Sequence, residues 1–180
     1  MIKRKKLVIF ACLAVFSFSM LPFFSTFAEE SATTPKEKQD SISTKCSSIK
    51  QSLKRVQNSD KNTRVSLGSS FQTISNNFIT PLNVRFLKNN QFNSDLNTTQ
   101  TDYAEARTEF NQLFISYSQE FEELLNIDCV NNPDSFYHRL QSVRNKRTEV
   151  AKSVEELKSI IEKHVSTVKN LRNNPRSENE

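Results

Sequence analysis

The chain has 180 residues, 25 Lys and Arg against 20 Asp and Glu for a formal charge of +5, 36% hydrophobic residues, one Gly, five Pro, three Cys and no Trp. That length allows one domain and hardly two. A single Gly argues against sandwiches, barrels and Rossmann sheets, whose turns need positive φ at many positions, and it excludes a glycine-rich phosphate loop; a helical protein remains.

Residues 1–28 read as a targeting segment. Lys3, Arg4, Lys5 and Lys6 precede an apolar run from Leu7 to Phe24, and Thr26 and Ala28 offer a small-residue cleavage site before Glu29 and Glu30. These are the three parts of a secretory signal peptide. The alternative is an uncleaved signal anchor over residues 7–27, since the run approaches the ~20 residues that span a bilayer. Cys12 lies inside the run rather than at its end, which argues against lipidation. Without residues 1–28 the balance is 21 basic against 20 acidic side chains. The apparent basicity therefore belongs to targeting, and no electrostatic footprint for nucleic acid is expected. The exported part keeps Cys46 and Cys129, a pair that in an oxidising compartment reads as a disulfide.

Residues 29–40 are nearly devoid of apolar side chains and read as a flexible leader. The first helical segment follows, with Ile42, Cys46, Ile49, Leu53 and Val56 on one stripe. Asp60 and Thr63 then occupy stripe positions before Leu67, Phe71, Ile74 and Phe78 resume it. Pro81 lacks a helical donor and should kink or end this helix. Residues 89–101 are dominated by Asn, Ser, Thr, Gln and Asp and read as a loop. Thr101 or Asp102 would cap a second helix carrying Tyr103, Ala106, Phe110, Leu113, Tyr117, Phe121 and Leu124 and ending near Asp128. The third has Asn132 as cap, Pro133 at its first position and Asp134 in its first turn. Its stripe of Phe136, Leu140, Val143, Arg147, Val150, Val154, Leu157, Ile161, His164, Val168 and Leu171 alternates spacings of four and three to about Arg172, a heptad seam. Residues 173–180 read as a frayed tail.

The predicted fold is all-α, an up-down-up three-helix antiparallel bundle with coiled-coil-like seams, its domain over residues 41–172. Three residues between Cys129 and Pro133 make the second and third helices a hairpin. An antiparallel first helix then brings Cys46 beside Cys129. The second helix is the shortest, so the far end should be covered by the loop or by another chain.

Polar residues inside the seams are the only candidates for chemistry. Asp60 lies 14 residues beyond Cys46 and Arg147 lies 14 beyond Pro133, so in parallel helices both stand about 21 Å from the disulfide end. They read as a buried polar pair that pins the register, with Tyr117 near that level and Arg64 one turn on. His164 reads as a satisfied, partly buried histidine at the level of Asn76 and Asn77. His138 and Asp134 form a surface pair. Two histidines apart on one helix suit neither a metal site nor a nucleophilic one. Glu122-Glu123 and Glu155-Glu156 are adjacent in helices and point apart, which suits solvated faces. The sequence accordingly assigns no catalytic, cofactor-binding or metal residue.

The run Asp60-Lys-Asn-Thr-Arg64-Val-Ser-Leu-Gly68, with Asn-Phe-Ile-Thr-Pro81-Leu-Asn83, Ile127-Asp-Cys129, Pro133-Asp-Ser-Phe-Tyr137 and Arg144-x-x-Arg147, resembles exported helical proteins of small-genome candidate-phyla bacteria. That resemblance covers most of residues 42–172 and implies architecture rather than an activity. In size, export and helix content the chain is also similar to the periplasmic chaperone Skp, although it lacks a basic mature surface and an assembly strand. The expected function is that of an exported, non-enzymatic bundle which binds a protein partner or itself in the cell envelope. The alternatives are a periplasmic-type holdase and an envelope hydrolase or its regulator. Membrane contact is expected only if the N-terminal segment is retained as an anchor.

Overall fold

The structure, a computed structural model, describes residues 34–89 and 91–173. The targeting segment, the leader up to residue 33 and the tail residues 174–180 lie outside the described residues. The described residues form helices and turns and no strand. In chain order these are α1 (Lys36–Ile74), a π-helical turn (Ser75–Ile79), α2 (Thr80–Lys88), α3 (Ser94–Asn126) and α4 (Pro133–Asn173). The first three are continuous, so the bundle has three arms: α1 with α2, then α3, then α4. The all-α expectation holds, and cross-contacts give the directions. Cys46 meets Cys129, Asp60 meets Tyr117, Arg64 meets Asn111 and Asn83 meets Leu96, so the first arm and α3 run opposite ways. Thr34 meets Asp134 and Asp60 meets Arg147, so the first arm and α4 run the same way.

One end is closed by short-range chemistry. Asp128 folds the α3–α4 connection into a tight turn by accepting hydrogen bonds from the Val130 backbone at 3.0 Å and from both the side chain and the backbone of Asn131 at 2.6 and 3.3 Å. Those bonds to its charged form hold its carboxyl below the usual range, the Asn131 side chain most of all. Cys46 and Cys129 are disulfide-bonded with Cα atoms 5.6 Å apart, and Ser43 donates to the Val130 carbonyl at 3.0 Å.

Two apolar clusters follow along the axis. The first, beside the disulfide, packs Phe114, Tyr117, Phe121, Leu124, Phe136 and Val143. Its rings run edge to face from Phe114 to Tyr117 to Phe121 at 5.7 and 5.6 Å between centroids. The second packs Phe71, Ile79, Tyr103, Phe110 and Leu157, with Phe71 and Phe110 edge to face at 5.4 Å. Burial of each such side chain contributes about 1.5 to 3 kcal/mol, and the edge-to-face geometry adds to it.

Several boundaries differ from expectation, each for a physical reason. Helix α1 begins at Lys36, inside the stretch read as a leader. Pro35 precedes its first turn, Glu37 complements the N-terminal dipole, and Thr34 is buried with its N–H directed at Asp134 at 3.4 Å. The loop shrinks to residues 89–93, because Asn93 rather than Thr101 or Asp102 caps α3, accepting the Leu96 N–H at 2.9 Å. Polar composition hid a stripe of Leu96, Thr99 and Tyr103 that is buried throughout. The early start of α3 brings Leu96 and Gln100 against Asn83 of the distal arm, so the expected long loop is replaced by helix.

The helix also passes through Pro81. The π-helical turn before it widens the ladder, with the Thr80 N–H reaching the Ser75 carbonyl five residues back. One consequence is a shifted face: Phe78, expected inside, is 63% exposed, and Ile79 is buried in its place. A similar drift moves Val56 outward and Gln57 inward, since a straight helix turns away from a strict heptad by about 20° per repeat.

Candidate functional site

Three polar groupings interrupt the apolar interior, and they are the places where chemistry could reside. The first joins all three arms. Asp60 accepts two hydrogen bonds from Arg147, Nε to Oδ2 at 2.9 Å and Nη2 to Oδ1 at 2.9 Å, and a third from the Tyr117 hydroxyl at 2.5 Å. The expected level of all three residues is therefore correct. The expectation of a buried pair is half correct: Asp60 has 15% of its side chain exposed, whereas Arg147 has 59%. The carboxylate sits at the bundle's edge, and the guanidinium reaches to it from the water side. Burial first, and then the bond and charge of Asp60, push the Tyr117 hydroxyl well above its ordinary range. Asp60 in turn keeps Arg147 firmly protonated. A tyrosine that resists ionisation, a carboxylate with three donors and an arginine bonded to it through two nitrogens form a clasp that joins all three arms.

The second grouping lies at the distal end. Asn83 donates to the Leu96 carbonyl at 2.8 Å and to Gln100 at 2.6 Å, tying α2 to the start of α3. The Thr99 hydroxyl lies 3.0 and 3.1 Å from the Asp95 and Leu96 carbonyls, to which it donates, and 3.0 Å from Nδ1 of His164. The hydroxyl and Nδ1 share a hydrogen bond whose direction follows the ring tautomer. Nε2 is left buried without a partner. His164 is only 5% exposed, and this burial lowers its pKa from the ordinary value. Its partner is Thr99 on α3; Asn76 and Asn77, expected at its level, are exposed on the first arm. His138 pairs with Asp134 at 3.6 Å on the surface, as expected. Among the described residues no three His, Cys, Asp or Glu side chains gather as a metal site would.

The third grouping was not singled out in the sequence. Arg64 and Arg107 flank a groove of about 300 Å³ between α1 and α3, with Gly68, Phe71 and Phe110 among its lining. Arg64 donates to Asn111 Oδ1 at 3.3 Å and lies over the Phe114 ring, and Arg107 donates to Gln72. The signal that could have revealed it is the lone glycine placed mid-helix one turn after Arg64. Deeper in, the Tyr103 hydroxyl donates to the Phe71 carbonyl at 3.0 Å, and burial pushes its pKa up to about 12. A broader groove of about 770 Å³ runs along one face of α3, where Glu105 and Glu109 are its titratable groups, one turn apart on a solvated surface. No helix among the described residues is long and apolar enough to cross a membrane. Comparison with protein families, with curated proteins and with solved structures finds no match.

The clasp predicts an order of costs. Asp60→Ala strands the buried Tyr117 hydroxyl and removes both Arg147 bonds, and should lower unfolding free energy by about 2 kcal/mol. Arg147→Ala breaks a pair screened by water and should cost under about 1 kcal/mol. Urea unfolding at neutral pH reads both, and a larger loss for Arg147→Ala would contradict the geometry. For His164, the depressed folded-state pKa means that the unfolded chain binds the proton more readily. Its contribution is therefore present above about pH 6.5 and lost as pH falls below that value. Subtracting the melts of His164→Leu from those of the unaltered protein between pH 7.5 and about 5 should isolate that loss, and a flat difference would contradict a buried neutral ring.

Proposed function

We propose that this protein is an exported helical bundle that acts by binding another protein, as an interaction or structural component outside the cytoplasm, and that it carries out no catalysis. The observation that carries the reading is where large apolar side chains remain in water. Phe78 (63% exposed), Val84, Leu87 (53%) and Phe92 (62%) fall from the π-helical turn to the start of α3 and include both exposed phenylalanines of the described residues, whereas Val56, Val65, Ile115, Val130 and Val165 are exposed at separate places along the bundle. Exposed aromatic and aliphatic groups concentrated in one region add nothing to the bundle's own core and suit a surface that a partner covers. Export is supported by the basic and apolar N-terminal sequence and by two cysteines placed at bonding distance. The envelope is the corresponding compartment if the exporting cell is bacterial, and residues 7–27 would tether the bundle there if they are not cleaved.

The test places a photocrosslinking amino acid at Phe78 or Phe92 in the cell of origin, with Lys54 on α1 as a control position. A discrete adduct from the distal positions and none from Lys54 is the expected result. A smear of many adducts would replace this reading with a holdase, and no adduct from either distal position would overturn it.

A further inference from the structure

The charge of the first arm is one-sided beyond the clasp. From Lys61 to Ser94 the sequence contains no Asp or Glu, and its four charged residues, Lys61, Arg64, Arg85 and Lys88, are all basic. Lys61 is paired with Glu122 at 3.5 Å. Arg64 has no carboxylate partner among the described residues, and neither has Arg107, which α3 brings to the same groove. Each is instead held by a neutral amide, Asn111 for Arg64 and Gln72 for Arg107, which orients a guanidinium without neutralising it.

Gly68 lies in the same groove. Glycine is a poor helix former, and a Cβ at this position would meet nothing within 4 Å, so packing does not require it. Its bare backbone is part of a lining shared with Arg64, Arg107, Phe71 and Phe110. The volume, about 300 Å³, is at the lower end for small-molecule pockets and suits side chains presented by a docked polypeptide.

We infer that the groove between α1 and α3, with Arg64, Arg107 and Gly68 in its lining, binds an acidic segment of a partner protein through its carboxylates. The inference rests on the protein-binding function proposed above and supplies the chemistry of the partner. Guanidinium forks pair with carboxylates in two-pronged geometry, and the exposed Val65 beside the groove offers apolar contact to the same segment.

The test uses fluorescence anisotropy of the purified, oxidised protein with a labelled peptide of interspersed Glu and Leu, and with the same peptide carrying Gln for Glu. The acidic peptide should bind at least about tenfold more tightly, with affinity falling as salt is raised. The Arg64→Gln/Arg107→Gln double variant should lose at least about tenfold in affinity while its helical circular dichroism is retained. Gly68→Glu should fold, since the site is open, and should block binding by placing a carboxylate in the groove that the two arginines line. Equal binding of both peptides, or undiminished binding by the double variant, overturns the groove. Tighter binding to anionic vesicles or duplex DNA than to the acidic peptide overturns the partner class. Neither result bears on crosslinking at Phe78 and Phe92, so a failure of the groove is distinguishable from a failure of the protein-binding reading.

Discussion

The bundle is organised by a covalent constraint at one end. The disulfide between Cys46 and Cys129 fastens the first arm to the base of the α3–α4 hairpin, 83 residues away in sequence. With the turn at Asp128 fixing the hairpin, the three helices acquire a common origin, and every later contact is a matter of counting turns from it. Asp60 can meet both Tyr117 and Arg147 only because all three lie at matching heights above that origin. The same reckoning brings Tyr103 to Phe71, and at the distal end Asn83 to Leu96.

Distance from the constraint also sorts the interior by character. Near the disulfide the core is apolar and aromatic, with Cys129, Leu124 and Phe136 wholly buried. Further out the packing admits polar groups one at a time: the half-buried Asp60, then Thr99 and His164, then Asn83. Each is anchored by a backbone carbonyl or a neighbouring side chain, although Oδ1 of Asn83 and Nε2 of His164 stay buried without a partner. The distal arm carries the exposed rings of Phe78 and Phe92, and the sequence from Lys61 to Ser94 lacks acidic residues.

Much of this was legible in the sequence because period and spacing are geometric quantities. The four-three alternation from Phe136 to Leu171 defined α4, Pro133 marked its start, and the two cysteines tied the arms together. Three features were not legible. Polar composition at residues 94–101 concealed a helix whose inward residue, Thr99, is buried through hydrogen bonds rather than through apolarity. The π-helical turn before Pro81 added one residue to a repeat and exchanged Phe78 for Ile79 in the core, a slip that no heptad count contains. The exposure of Arg147 is not set by its seam position, since a long guanidinium can reach a carboxylate from outside a seam as readily as from within it. The groove at Gly68 needed both helices in place before its two arginines could be seen as neighbours.

The central claim is that the cross-link fixes the register for the whole molecule, and guanidinium unfolding of the oxidised protein beside Cys46→Ser/Cys129→Ser tests it most directly. The chain-entropy relation for a loop of this length gives a loss of about 4 to 5 kcal/mol on removing the bond, and the account predicts that in the destabilised variant Asp60 is no longer held opposite Tyr117, so that Tyr117 ionises at a lower pH than it does in the oxidised protein. A loss below about 1 kcal/mol, or a Tyr117 that ionises in the ordinary range in the oxidised protein, would contradict the claim.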